Sequence, residues 1–191
     1  MTTHTAMTRT RVRKDRLRLK AGYSRGKSKS VEALWYLCKV FFFMSALPWP
    51  SSLKVKILKL FGAKIGQGLC IKPCVNIHMP WRLEIGDFVS IGEEVFILNF
   101  EKVTIGDQAT LSQRAFICCG NHDFRDPGLP YRNAPITIAE GAWVGASVFV
   151  GPGVTIGVDT IVAAASVVLS DLPDNGIYKG NPCVHVGARW K

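Results

Sequence analysis

Residues 138–173 read IAEGAW, VGASVF, VGPGVT, IGVDTI, VAAASV, VLSDLP when broken every six positions. An aliphatic residue opens every block: Ile138, Val144, Val150, Ile156, Val162 and Val168. Upstream the same period runs through Ile65, Ile71 and Ile77, then Ile85, Ile91 and Ile97, then Ile105, Leu111 and Ile117. Two residues are inserted between successive runs, and a longer excursion, 123–137, precedes Ile138. Four places after the aliphatic a small or β-branched residue recurs, as at Val75, Val89, Ala109, Val148 and Ser166. A period of six is neither the 3.6 of an amphipathic helix nor the 2 of an antiparallel strand. It fits a triangular coil, in which each hexapeptide is one short strand and one corner. The aliphatic then points inward on every face, and coils stack at the interstrand spacing of about 4.8 Å. Glycine often follows the aliphatic, as at Gly66, Gly86, Gly145 and Gly157, and is expected to take the corner conformations that other residues resist. The predicted fold is all-β, a parallel β-helix with coils at 65–82, 85–102, 105–122, 138–155 and 156–173.

Each open end of such a coil is a bare strand edge that must be covered. Before the first coil, SSLKVKILKLFGAK (51–64) predicts an amphipathic helix with Leu53, Ile57, Leu60 and Phe61 on one side. Beyond the last, residues 174–191 break the period and are expected to fold back as a cap. Residues 31–50, VEALWYLCKVFFFMSALPWP, are apolar and aromatic, but Lys39 interrupts them and Pro48 and Pro50 end them. That is too broken for a spanning helix. It leaves a helix packed on the body or one lying at a membrane surface. Nor does a small-residue cleavage site follow, so a signal peptide is not expected.

The net charge of +10 is unevenly spread. Residues 1–30 hold ten Lys and Arg against the single Asp15, whereas residues 31–191 carry only +1. The charge therefore belongs to an N-terminal tail that reads as disordered, not to a nucleic-acid-binding body. Such a tail is either a solvated extension or an attraction to anionic lipid or another polyanion. Six cysteines, Cys38, Cys70, Cys74, Cys118, Cys119 and Cys183, include no C-x-x-C pair and read as reduced thiols of a cytoplasmic protein.

Four histidines are present. His4 falls in the tail, His185 in the cap, and His78 one place after the inward Ile77. His122 closes the hexapeptide opened by Ile117, at a corner where the excursion leaves, so it is expected to face a cleft. An imidazole there suits proton removal near neutral pH. Asp123 or a backbone carbonyl could orient its other nitrogen.

The repeats, the excursion and the segments Pro80-Trp81, Ile97-Leu98-Asn99, Gly120-Asn121-His122-Asp123, Ala142-Trp143-Val144-Gly145-Ala146 and Gly180-Asn181-Pro182 resemble the hexapeptide-repeat acetyltransferases. Over roughly 31–191 the chain looks most like the colanic-acid-biosynthesis type of bacterial exopolysaccharide assembly. The resemblance implies a left-handed β-helix and a homotrimer. It further implies acetyl transfer from acetyl-CoA to a sugar or glycan hydroxyl, with His122 as general base and no metal. It places Trp143, Gly145, Ala146, Ala163 and Ala164 along the cofactor, with Trp143 alternatively a packed interface aromatic. Lys179 and Arg189 are candidates for the cofactor's phosphates. Asn99, Arg125, Asp126 and Tyr131 are candidates for sugar contacts. The basic tail and apolar segment, residues 1–50, suggest peripheral contact with the inner membrane face. One rival reading is a non-catalytic scaffold with a polyanion- or membrane-binding tail. Another is a zinc hydratase, which needs three converging imidazoles where the repeats offer only His78 and His122.

Overall fold

The computed structural model describes residues 11–14 and 23–190. Residues 1–10, 15–22 and 191, which include His4 and part of the basic run, lie outside the described residues. The repeat closes into a three-faced prism of short parallel strands. Ile65, Ile85, Ile105, Ile138 and Ile156 pair in register on the first face. Ile71, Ile91, Leu111, Val144 and Val162 do so on the second, and Ile77, Ile97, Ile117, Val150 and Val168 on the third. All fifteen are buried, none more than 9% exposed, as are the small residues four places on. Coils of unequal length stay in register because every insertion is absorbed at one corner. That corner, between the third and first faces, carries the turn Pro80–Arg82, its counterpart around Asn99 and the whole excursion.

The glycines serve a purpose other than the one expected. Left-handed backbone falls three places after the aliphatic, and mostly on other residues, among them Cys74, Phe88, Gln108, Arg114 and Asp159. The glycine beside the aliphatic instead sits where stacked coils touch. A Cβ on Gly86 would lie 2.0 Å from Asp107 Oδ1, and one on Gly145 would lie 2.6 Å from the carbonyl oxygen of Val162. The same aspartates tie coils together: the Asp87 amide donates to Asp107 Oδ1, and that of Gln67 to Asp87 Oδ1, both at 2.8 Å.

The far end does not break off at residue 174. Leu172 bridges to Ile156, and the strand Gly176–Lys179 adds to the second face in parallel, so a sixth coil begins. Leu172 and Tyr178 supply its buried side chains. The chain then turns back as Val184–Ala188, antiparallel to Gly176–Lys179, and the cap folds over as a hairpin.

At the near end, helix α1 (Lys29–Cys38) passes into a π-helical turn, Lys39–Phe43, and helix α2 (Ser51–Leu60) follows. Ser28 caps α1 through its hydroxyl, which accepts from the Val31 amide. Residues 23–30, grouped above with the tail, thus pack against the body: Tyr23 donates to the Phe100 carbonyl and the Trp81 indole donates to that of Arg25. Trp35 anchors α1 between Phe43 and Phe61, its indole N–H directed at the carbonyls of Ile77 and His78.

The buried side of α2 differs from the expected one. Leu60 is 83% exposed, while Lys54 and Leu58 are fully buried. The reason is the surface being covered. An open strand edge presents carbonyls, and Lys54 Nζ donates to those of Ile71 (3.3 Å) and Lys72 (3.0 Å). The Ser51 hydroxyl accepts from the Ile71 amide at 3.0 Å. The outer side of α1 and the π turn is apolar and uncovered, with Leu34, Leu37, Phe41 and Met44 each 42–66% exposed.

Candidate active site

The insertions build a wall along the corner between the third and first faces. On it the rings of His78 and Phe100 lie 4.8 Å apart, those of Phe100 and Tyr131 6.4 Å, and those of Tyr131 and His122 4.6 Å. His122 is half-buried where the excursion leaves the third face, and its backbone bridges to Tyr131 on the returning limb. Its Nδ1 lies 2.7 Å from the Leu129 carbonyl oxygen. A carbonyl only accepts, so in the neutral ring Nδ1 carries the proton and Nε2 keeps the lone pair.

Asp123 does not perform that orienting role. Its Oδ1 accepts from the Arg125 amide at 3.0 Å and shapes the turn. Asp126 acts likewise on the Gly128 amide at 2.7 Å. Arg125 is exposed, its guanidinium 5.7 Å from the Phe124 ring. Asn99 departs from the expected sugar contact. It is fully buried, accepts from the Met79 amide at 2.8 Å and donates to the Met79 carbonyl at 2.6 Å. It clamps one insertion onto the next.

Trp143, Gly145, Ala146, Ala163 and Ala164 line a single groove of about 380 Å³ on the second face. The Trp143 indole donates to Ser112 Oγ at 2.8 Å. Ser112 and Gln113 also line the groove, beside Ile161 and Val162, and were not singled out by sequence as site residues. Strand register could have found Ser112: it follows Leu111, which pairs with Val144, and so stacks beside Gly145. The same column continues to Lys72 and Gly92 on one side and to Lys179 on the other. Small residues thus fill the middle of the trough, and an exposed lysine stands at each end. Arg189 is engaged elsewhere. Its guanidinium donates to the carbonyls of Gly141 (2.6 Å) and Asp159 (3.3 Å) and pins the terminal hairpin to the coil.

Burial raises the thiol pKa of Cys119 to about 12 and lifts that of Cys118 as well, so neither is poised as a nucleophile. Among the described residues no three His, Cys, Asp or Glu side chains converge as a metal site.

No family model matches the sequence. It is, however, 37% identical over 171 residues, 88% of this chain and 92% of the other, to the protein named colanic acid biosynthesis acetyltransferase WcaF in Escherichia coli (strain K12). The chain belongs to the WcaF-like hexapeptide-repeat acetyltransferases. Solved hexapeptide-repeat acetyltransferases share its fold, a left-handed parallel β-helix. One from Vibrio cholerae, complexed with acetyl coenzyme A, superposes with a TM-score of 0.77 at 23% identity, over 85% of this chain and 89% of that one. A galactoside acetyltransferase in complex with coenzyme A gives 0.75 at 24%, over 86% and 84%.

Proposed function

We propose that the chain moves an acetyl group from acetyl-CoA to a hydroxyl of a sugar or glycan intermediate in bacterial polysaccharide biosynthesis, with His122 as general base. The contact between His122 Nδ1 and the Leu129 carbonyl carries this reading, because it leaves Nε2 as the free base. Nε2 takes the proton of the acceptor hydroxyl as its oxygen attacks the thioester carbonyl. Collapse of the tetrahedral intermediate breaks the C–S bond, and the imidazolium returns the proton to the departing thiolate. The acceptor leaves as its acetyl ester and coenzyme A as the free thiol.

Acetyl-CoA is assigned to the second-face trough. Small side chains at Gly145, Ala163 and Ala164 leave room for its pantetheine arm, and Lys179 is placed for its phosphates. In a triangular prism the corner bearing His122 lies opposite that face. One chain therefore does not bring its own histidine onto its own groove, which supports a site shared between copies and a homotrimer as the working assembly.

The exposed apolar ridge of α1 and the π turn, with Lys27 and Lys29 at the start of that helix, supports peripheral docking on an anionic lipid surface of the cytoplasmic side. Among the described residues no helix is long and apolar enough to cross a membrane.

The test is acetyl-CoA-dependent thiol release across a panel of sugars and glycan fragments. Acceptor-dependent release should fall by about a hundredfold or more in His122→Ala. Equal rates in the two proteins would remove His122 from the chemistry.

A further inference from the structure

A second cavity, of about 300 Å³, lies between α1 and the first coil. Arg25, Lys29, Glu32, Lys39 and His78 line it, with Trp35, Tyr36 and Trp81 among its aromatic walls. Its charge is unbalanced. Glu32 is held by Arg25 at 2.8 Å, which leaves Lys29 and Lys39. Lys39 is only 7% exposed, yet among the described residues its side chain has no hydrogen bond or ion pair; its Nζ lies over the Tyr36 ring, 5.3 Å from the centroid. Desolvation of this side chain disfavours its ammonium, a cost that an anion in the cavity would offset. His78 adds an Nε2 that is buried and without a partner. The packing of α1 does not call for either group, since Trp35 already anchors the helix.

The cavity stands on the same edge as His122. His78 is its floor, and the ring series His78, Phe100, Tyr131, His122 runs from it to the proposed base. His78 belongs to the first coil and His122 to the third, two steps apart along the prism axis, about 10 Å at the usual strand spacing. A sugar ring laid against Phe100 and Tyr131 spans most of that distance. Its substituent then falls beside Lys39.

We propose that this cavity binds the anionic group, a phosphate or a carboxylate, of the acceptor whose hydroxyl is presented to His122. The proposal rests on the acetyl-transfer reading given above and names its substrate class. Neutral sugars would occupy the same edge without the anchor.

The test uses the full chain and three probes: glucose, glucose 1-phosphate and glucuronate. Calorimetry should show saturable binding of at least one anionic probe, about tenfold or more tighter than glucose, the scale of one charged hydrogen bond. The two anionic arms separate a phosphate subsite from a carboxylate subsite. Lys39→Met, near in shape but uncharged, should abolish the preference, and Lys29→Gln should weaken it. Coenzyme A binding should stay unchanged in both, reporting an intact prism. The idea fails if neither anionic probe binds saturably, or if the preference survives in Lys39→Met. If the anionic probe binds through Lys39 while His122→Ala turns over like wild type, the subsite stands and the catalytic reading falls.

Discussion

Leu129 holds the His122 ring through its backbone carbonyl, 2.7 Å from Nδ1, while its own backbone sits in the left-handed region at φ 47°. Glycine adopts that conformation freely, whereas a β-branched residue resists it. Leu129→Gly should therefore keep the carbonyl in place and retain activity. Leu129→Val should displace it and lower kcat by about tenfold with little change in the KM for acetyl-CoA. Steady-state kinetics of the two variants provide the comparison.

Asp123 offers the complementary control. Its carboxylate accepts from the Arg125 amide and does not face the imidazole. Asp123→Asn keeps an acceptor for that amide, so thiol release should stay in the wild-type range. A loss as large as that of His122→Ala would mean that Asp123 orients the base during turnover.

The groove makes a steric prediction. Ala163 occupies the middle of the second-face column, between Gly145 and Lys179. Ala163→Leu should fill the trough and raise the KM for acetyl-CoA by about tenfold, the order of a misfit of a few methylenes. Circular dichroism should report an unchanged fold, because the added atoms point away from the core.

His78 predicts a pH dependence of stability. Burial first, then the charges of Lys39 and Arg25, push its pKa down to about 4, against the opposing pull of Glu32. The unfolded chain, with an ordinary imidazole near 6.5, binds the proton more readily. Stability from this group is complete above about pH 6.5 and is lost as the pH falls toward 4. Urea denaturation of wild type and His78→Asn at pH 7, 6, 5 and 4 should show a shallower acid decline in the variant. Parallel declines would place the titration elsewhere.

Two substitutions separate close approach from backbone freedom. Gly86→Ala drives a Cβ to within 2.0 Å of Asp107 Oδ1 and should cost about 1–3 kcal/mol. Gln108→Gly, at φ 58° on an exposed corner, should leave stability unchanged or raise it slightly. Thermal melts of both variants test the assignment.

Docking on lipid is tested by cosedimentation with vesicles containing phosphatidylserine. Leu37→Glu combined with Phe41→Glu should abolish binding, and added salt should weaken it in wild type. Binding unaffected by both would exclude this face.

The prism was legible because each inward side chain obeys a period that one strand and one corner impose, so Ile65 through Val168 could be placed without knowing their neighbours. The groove was legible through the likeness around Trp143, since one segment carries its centre. The misplaced residues depend on what lies across a gap in sequence. Asn99 meets Met79 only after two coils stack. Lys54 is buried because a strand edge offers carbonyls, a surface that hydrophobic patterning does not register. Arg189 follows the register of the last hairpin. Leu129 acts through a backbone oxygen, which no residue type announces. The cavity at Lys39 needs α1 to lie across the first coil, and nothing in the helix alone specifies that.

A stack of identical rungs has no intrinsic reason to stop: each end offers the next rung a ready template, the geometry by which fibrils grow. Here both templates are blunted. Lys54 plugs the carbonyls of the first rung, and the reversed strand Val184–Ala188 lies along the last, tied by Arg189 to the two coils beneath. One lysine and one reversed strand close the two ends, and they keep a shape suited to endless polymerisation as a discrete particle.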